Sequence, residues 1–311
     1  MFKCGWCGAI SKLERSVERG HKPAFVAQLR SVLPALRAAF VAFVGLLLLS
    51  VPTLGFTYLL PNLYSGGPLA LHMIWSLILA ANTYFNFIAA VMRSPGPVDI
   101  HMPPPNTQVE MGAFDNCMYC LECQDVKPPH THHCSRCKTC VMDMDHHCIF
   151  LNNCVGRGNI RHFILLLFYL IVSCTYTFLV GCILHVRRWE EAARVWQRVL
   201  LPIVQSRRYW EGILVTPRFI LVAPAWQGAV TYLMSLTGGS CIGITLLLAS
   251  QLRLIMRGQT YVESLAAAPS SGRDWQGSLR RIFGSEHPVR WLRMTWEPPP
   301  GAAAAQTKKG D

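Results

Sequence analysis

Between Cys120 and Phe163 the chain reads Cys120-x2-Cys123-x9-His133-Cys134-x2-Cys137-x2-Cys140-x4-Asp145-His146-His147-Cys148-x5-Cys154-x4-Asn159-x3-Phe163. Short Cys-x2-Cys pairs with further Cys and His close behind have the spacing of structural zinc sites, because a tight turn aims two thiolates at one tetrahedral ion. Two such pairs suggest two ions, and two closed sites need about eight protein ligands. With Cys117 set aside, the stretch offers seven cysteines together with His133, His146 and His147, a surplus of two groups. The Asp145-His146-His147-Cys148 run can supply that surplus. An acid, a base and a thiol meet there, and a thiol reacts as thiolate once a carboxylate-oriented histidine takes its proton. Cys148 and His146 are the natural pair left over, although the ligand count by itself does not choose between His146 and His147.

The stretch resembles, position for position, the cysteine-rich domain of the DHHC family of protein S-acyltransferases (palmitoyltransferases). The resemblance implies two interleaved structural zinc ions, one held by Cys120, Cys123, His133 and Cys140 and the other by Cys134, Cys137, His147 and Cys154. It also implies that Cys148 accepts the acyl group, that His146 is the base and that Asp145 orients it. Asn159 and Phe163 match the family's Asn-x3-Phe, and Thr260 and Glu263 match the Thr-Thr-x-Glu motif that braces the catalytic loop. Four positions depart from the family pattern. Ser94 stands where the family has the acid of Asp-Pro-Gly, Ile149-Phe150 where it has Pro-Trp, and Tyr261 where it has the second threonine.

Composition sets the surroundings of this chemistry. The 311 residues are 51% hydrophobic and only 15% charged, the balance of a membrane protein. Metal-type spacing among the 13 cysteines argues for a reducing compartment, so the cysteine-rich loop is expected to face the cytosol. The formal charge of +12 is spread over segments that flank apolar runs, which points to anionic lipid and a phosphate-bearing acyl donor and away from nucleic acid.

The expected fold is an α-helical polytopic membrane protein, with four transmembrane helices and a cytosolic two-zinc cysteine-rich domain between the second and third. Residues 1–37 form a basic cytosolic segment carrying the Cys4-Gly-Trp-Cys7 pair, read as surface thiols. Residues 38–92 lack Asp, Glu, Lys and Arg and predict a helical hairpin broken at Pro61–Pro68. The zinc domain occupies 93–162, the third span 163–186, a lumenal loop with a surface helix 187–227, the fourth span 228–252 and a cytosolic tail 253–311. His72 is expected at the interface or hydrogen-bonded, and Gly238, Gly239 and Gly243 are expected to admit close helix neighbours. Cys174 and Cys182 read as packing thiols, and a short amphipathic piece is expected around Trp275 to Trp296.

The chemistry expected is a two-step transfer from acyl-CoA (palmitoyl-CoA) through a Cys148 thioester to cysteines of substrate proteins. A cavity among the spans would hold the acyl chain, with Phe163, Phe168 and Tyr169 as candidate lining. Arg136, Lys138, Arg157 and Arg161 are candidate cations for the CoA phosphates. The competing reading is a membrane-anchored zinc-binding recruitment module, which has no need of the Asp145-His146-Cys148 set. The sequence Met294–Pro300 is similar to the tail of the abl-philin-like branch of the family, and Lys308-Lys309 fits a dilysine retrieval signal. Both favour the endoplasmic reticulum over the Golgi.

Overall fold

The computed structural model describes residues 2–3, 10–11, 24–96, 98, 117–206, 224–265 and 274–284, with only the backbone at 2–3, 10–11, 24–30 and 199–206. Cys4, Cys7, Trp210, Trp296, the 294–300 segment and Lys308-Lys309 lie outside the described residues. Two compact units are distinguished, 1–40 and 41–311. The first holds a short antiparallel pair, β1 (Phe2–Lys3) and β2 (Ile10–Ser11), and the start of helix α1 (Ala24–Leu54).

Among the described residues, four helical segments are long and apolar enough to cross a bilayer, which takes about 20 residues. They are Ser31–Leu59, Gly66–Met92 (α2), Ile160–Arg187 (α3) and Ala225–Met256 (α5). The protein is thus a multi-pass helical membrane protein. Its first span ends in a π-helical turn, Gly55–Leu59, where the Leu60 amide donates to Gly55 at 2.9 Å. Pro52 lies just ahead of that turn and brings no amide hydrogen to the helix ladder. Helix α3 is the central element and packs on both α2 and α5. The interval after it is partly helical, since α4 (Trp189–Ser206) begins directly behind α3 with Glu190 and Glu191 in its first turn, where the helix dipole favours acids.

Two of the packed clusters in unit 41–311 bound the helical bundle. Leu59, Leu60, Leu63, Val180, Leu184 and Leu233 close one end of the bundle. Phe87, Cys148, Phe163, Leu167, Ile255 and Ile282 belong to the other, beside the cysteine-rich lobe. Of the three candidate packing glycines, only Gly238 is crowded, since a Cβ there would lie 3.0 Å from the Phe178 ring. Gly239 and Gly243 face open space. Cys174 is buried in α3.

Among the described residues, the lobe between α2 and α3 holds three separate antiparallel hairpins. Met118–Cys120 (β3) pairs with Asp125–Lys127 (β4), Thr131–Cys134 (β5) with Thr139–Met142 (β6), and His146–Cys148 (β7) with Asn153–Val155 (β8). Hairpins this short have too little apolar surface to hold themselves together in water. Two short helices follow the bundle, α6 (Tyr261–Leu265) and α7 (Trp275–Phe283), the latter capped by Asp274, which accepts from the Gly277 amide at 2.8 Å.

The loop Ser94–Gly96 after α2 is pressed directly onto the lobe. Gly158 donates its amide to Pro95 at 3.0 Å, and Met142 donates to Gly96 at 2.9 Å. A Cβ on Gly158 would stand 2.2 Å from the Ser94 carbonyl oxygen, so this backbone approach requires glycine. Gly158→Ala is therefore expected to destabilise the protein by about 1–3 kcal/mol, the usual range for overpacking. Thermal unfolding in detergent checks it, and an unchanged midpoint would contradict the contact.

Candidate active site and metal centres

Each metal-type cluster is assembled from two hairpins. The turn of β3–β4 brings Cys120 and Cys123 to His133 and Cys140, which face each other across β5–β6. The turn of β5–β6 brings Cys134 and Cys137 to His147 and Cys154, which face each other across β7–β8. Within each cluster the donor atoms all lie within 4.8 Å of one another. The His133 Nδ1 sits 3.6, 3.2 and 3.9 Å from the three thiols of its group, and the His147 Nδ1 sits 3.6, 3.3 and 3.6 Å from its own. Zinc–sulfur bonds of 2.3 Å in a tetrahedron imply ligand separations of about 3.8 Å, which these sets approach. The thiol chemistry fits as well. Burial and the neighbouring thiols push Cys140 up to about 12 and raise Cys154 too, so three thiolates in one group need a cation among them.

The arrangement has a period. Cys120, Cys123, His133 and Cys140 recur 14 residues later as Cys134, Cys137, His147 and Cys154. The residues that follow each turn, Gln124 (φ 54°) and Lys138 (φ 60°), share the left-handed conformation, and Asn152 (φ 47°) repeats it once more. Cys148 therefore occupies the first-cysteine position of a third turn. The second-cysteine position is filled by Leu151, which is buried, and among the described residues no further hairpin follows to complete a ligand set. The thiol is thus built like a zinc ligand and left outside the metal clusters.

Strand geometry separates the two histidines. Side chains alternate along a strand, so His146 and Cys148 share one face of β7 while His147 points to the other. His147 is in the metal-type cluster, and His146 makes its contacts with Asp145 and Cys148. The His146 Nδ1 lies 2.8 Å from Asp145 Oδ2, and its ring meets Phe163 edge-on at 5.2 Å. Burial opposes a charge on His146, yet the hydrogen bonds and charges of Asp145 and Cys148 outweigh it and raise the imidazole to about 9.

Asp145 is only 2% exposed and is held from two sides. Its other oxygen, Oδ1, accepts from the backbone amide of Tyr261 at 2.8 Å. Any residue but proline supplies that amide, and the Tyr261 side chain itself is exposed, so the contact survives the departure from threonine. Glu263 fixes the same turn, with Oε2 accepting from the Thr260 amide at 2.8 Å and Oε1 meeting His130 Nδ1 at 2.5 Å. A line of contacts thus runs from the turn between β4 and β5 through α6 to His146.

Beneath Cys148 a cavity of about 700 Å³ runs into the bundle and is mostly apolar. His146, Cys148, Ile149 and Phe150 form its mouth, and Phe87, Phe163 and Leu247 lie near it on three helices. Its far end is lined by Leu60, Ser76, Tyr176 and Thr177, above the closing leucine cluster. Of the expected lining residues, Phe163 takes part; Phe168 is exposed on the bundle and Tyr169 packs with Leu79 and Leu165 in a separate cluster.

Among the candidate cations, Arg136 and Lys138 are exposed. Arg157 is committed to Asp143 (Nε to Oδ2, 2.7 Å), which also accepts from Arg281 of α7 at 2.9 Å. Sequence reasoning missed His130, Asp143, Arg281 and Asn153, whose partners lie far along the chain. The 14-residue period was present in the sequence as the signal for the third turn.

Comparison with known proteins follows the same line. Residues 113–268, half of the chain, match the family model of the DHHC palmitoyltransferases. A palmitoyltransferase of Mus musculus, ZDHHC22, is 29% identical over 256 residues, covering 82% of this chain and 86% of the relative. Probable protein S-acyltransferase 12 of Arabidopsis thaliana is 40% identical over 94 residues, 27% of this chain and 32% of its own. The palmitoyltransferase PFA4 of Yarrowia lipolytica is 31% identical over 146 residues, 47% and 40% of the two chains.

The different faces of β7 predict different metal contents. His146→Ala is expected to keep both zinc ions, and His147→Ala to lose the second site and with it much of the lobe's order. Elemental analysis of the purified variants decides it; equal zinc loss in both would refute the assignment.

Proposed function

The chain belongs to the family of DHHC palmitoyltransferases and is a protein S-acyltransferase, and from that premise we propose a two-step transfer through a thioester on Cys148. The observation that carries the reading is the juxtaposition of His146, already bonded to Asp145, with a thiol that stands at the mouth of an apolar cavity. A recruitment module would need the two metal clusters but neither the free thiol nor the cavity.

Asp145 holds the Nδ1 side of the ring, which leaves Nε2 for Cys148. With its imidazole raised to about 9 by Asp145 and Cys148, His146 is a strong acceptor for the Cys148 proton, and the two react as thiolate and imidazolium. The Cys148 thiolate attacks the thioester carbonyl of a long-chain acyl-CoA. The new carbon–sulfur bond forms on Cys148, the bond to CoA breaks, and the departing CoA thiolate takes the proton from His146. Once Cys148 is acylated, its negative charge no longer supports the imidazolium, so the His146 pKa falls. The same ring is then a base for the thiol of a substrate protein, which gives up its proton, takes the acyl group and returns Cys148 as thiolate. The acyl chain lies in the cavity throughout, away from water.

Cys120, Cys123, His133 and Cys140 would hold one structural zinc ion, and Cys134, Cys137, His147 and Cys154 the other. Four protein ligands close each site, so the metal supplies fixed geometry to the hairpins. The thiol-rich lobe suits the cytosolic side of an endomembrane, where CoA esters and reduced cysteines coexist. The endoplasmic reticulum is the membrane we favour, on the strength of Lys308-Lys309 and the 294–300 similarity.

Acyl-enzyme formation with labelled palmitoyl-CoA in detergent tests the reaction. Hydroxylamine-labile label is expected on the wild type and absent from Cys148→Ser at equal zinc content. A zinc-loaded wild type that takes no label would return the recruitment module. The wild-type rate is expected to decline as pH rises through about 9, where His146 loses the proton that CoA must receive. Asp145→Asn keeps an acceptor for the Tyr261 amide but loses the one for His146 Nδ1. It should slow acylation roughly 10²–10⁴-fold, the usual worth of a positioned acid–base group, and move the alkaline decline to lower pH.

A further inference from the structure

The three hairpins of the lobe are built to one register. Each opens its turn with a cysteine whose cross-strand partner lies five residues on: Cys120 faces Asp125, Cys134 faces Thr139 and Cys148 faces Asn153. In each, the residue four after the cysteine takes the left-handed conformation, Gln124 at φ 54°, Lys138 at 60° and Asn152 at 47°. Two of these turns give their first cysteine to a metal-type cluster. The third presents Cys148 in the same shape, and Leu151 stands where the other two have their second thiol.

A further ligand lies beside it. His146 shares a face of β7 with Cys148 and is hydrogen-bonded to its thiol. The His146 Nδ1 lies 2.8 Å from Asp145 Oδ2, so Nε2 is the nitrogen turned toward the sulfur. A carboxylate on the far nitrogen of an imidazole is the usual support of a metal-ligating histidine, because it fixes the ring and raises its basicity. Asp145 is itself held, with Oδ1 on the Tyr261 amide at 2.8 Å. The His146 side chain is 24% exposed, which gives an ion from solution a way in. One thiolate and one imidazole form a donor set that selects zinc-like ions, whereas magnesium and calcium require oxygen.

We propose that Cys148 and His146 form a third, reversible metal site, in which a zinc ion held by the Cys148 sulfur and the His146 Nε2 blocks the reactive thiol. Two protein ligands leave two tetrahedral positions to water, so this ion is held more weakly than one in a four-ligand group and exchanges with free zinc. Leu151 keeps the site weak, since a thiol there would supply a third ligand on the pattern of Cys123 and Cys137. While the ion is bound, the sulfur is engaged and Nε2 cannot take a proton, so neither transfer step can begin. The site stands on the hairpin geometry, and only its inhibitory effect rests on the acyltransferase reading.

The test uses the full chain in detergent, purified with its two structural zinc ions, and the probe is zinc or cadmium alone. Titration should show one further ion on the wild type, with a thiolate-to-cadmium charge-transfer band, that Cys148→Ser lacks. Even an outer-shell partner of a ligand is worth about 10–100-fold in affinity, so Leu151→Cys should tighten this ion at least ~100-fold and keep it through desalting. Should that variant fail to fold, His146→Ala should weaken the ion at least ~10-fold while keeping both structural ions. Equal binding by wild type and Cys148→Ser would overturn the site, as would a folded Leu151→Cys that carries only two ions. At low palmitoyl-CoA, free zinc at about ten times its dissociation constant should cut acyl-enzyme formation roughly tenfold by mass action, reversibly and with no effect of magnesium. An ion on Cys148 that leaves acylation unchanged would overturn the block. A wild type that binds the ion yet takes no acyl label without free zinc would instead sink the acyltransferase reading and leave the site standing.

Discussion

The carbonyl groups at the end of α2 need donors, and the structure depends on where those donors come from. Asn153 and Asn159 supply them from the segment that carries Cys148 and leads into α3. A buried carbonyl left without a partner costs about 1–3 kcal/mol, so the lobe cannot drift from the membrane helices without losing several such contacts together. A reactive thiol on a small β-lobe thus acquires a defined height above an apolar cavity.

The lobe's own order has a different origin. Three two-stranded hairpins bury too little to fold alone, and the metal-type clusters replace the missing core by tying each turn to the cross-strand pair of the next hairpin. Interleaving makes the order cumulative, since the β5–β6 hairpin supplies ligands to both groups. The third turn inherits the same backbone shape, and a leucine at position 151 leaves Cys148 without the partner thiol a closed metal site would need. Structural and reactive cysteines therefore share one local geometry and differ in their company.

Much of this was legible in the sequence because it is local. Cys-x2-Cys spacing identifies a turn whatever surrounds it, and long uncharged runs identify helices able to span a bilayer. The choice between His146 and His147 was not legible from spacing alone, since adjacent residues separate only once the segment is known to be a strand with alternating faces. The Asn153 cap, the Asp143–Arg281 pair and the His130–Glu263 contact join positions 60 or more residues apart, and one sequence carries no record of such pairing. Aromatic lining was equally opaque. Phe163 faces the cavity while Phe168 does not, and helix rotation against α2 and α5 decides between them.

Of the attachments that orient the lobe, three reach different helices, and their separation matters more than their individual strength. Asn153 joins it to α2, the Tyr261 amide joins Asp145 to α6, and Arg281 joins Asp143 to α7. One attachment leaves a body free to rotate and two leave an axis, whereas three that are not in line fix it. Two of them end on buried carboxylates, and a hydrogen bond to a charged group is worth about 1.5–3 kcal/mol. The carboxylate on α6's side is also the one that orients His146, so the contact that stops the lobe from turning is the contact that aims the imidazole. Orientation of the lobe and preparation of the thiol are therefore one structural event, which explains why a backbone amide suffices where the family pattern has threonine.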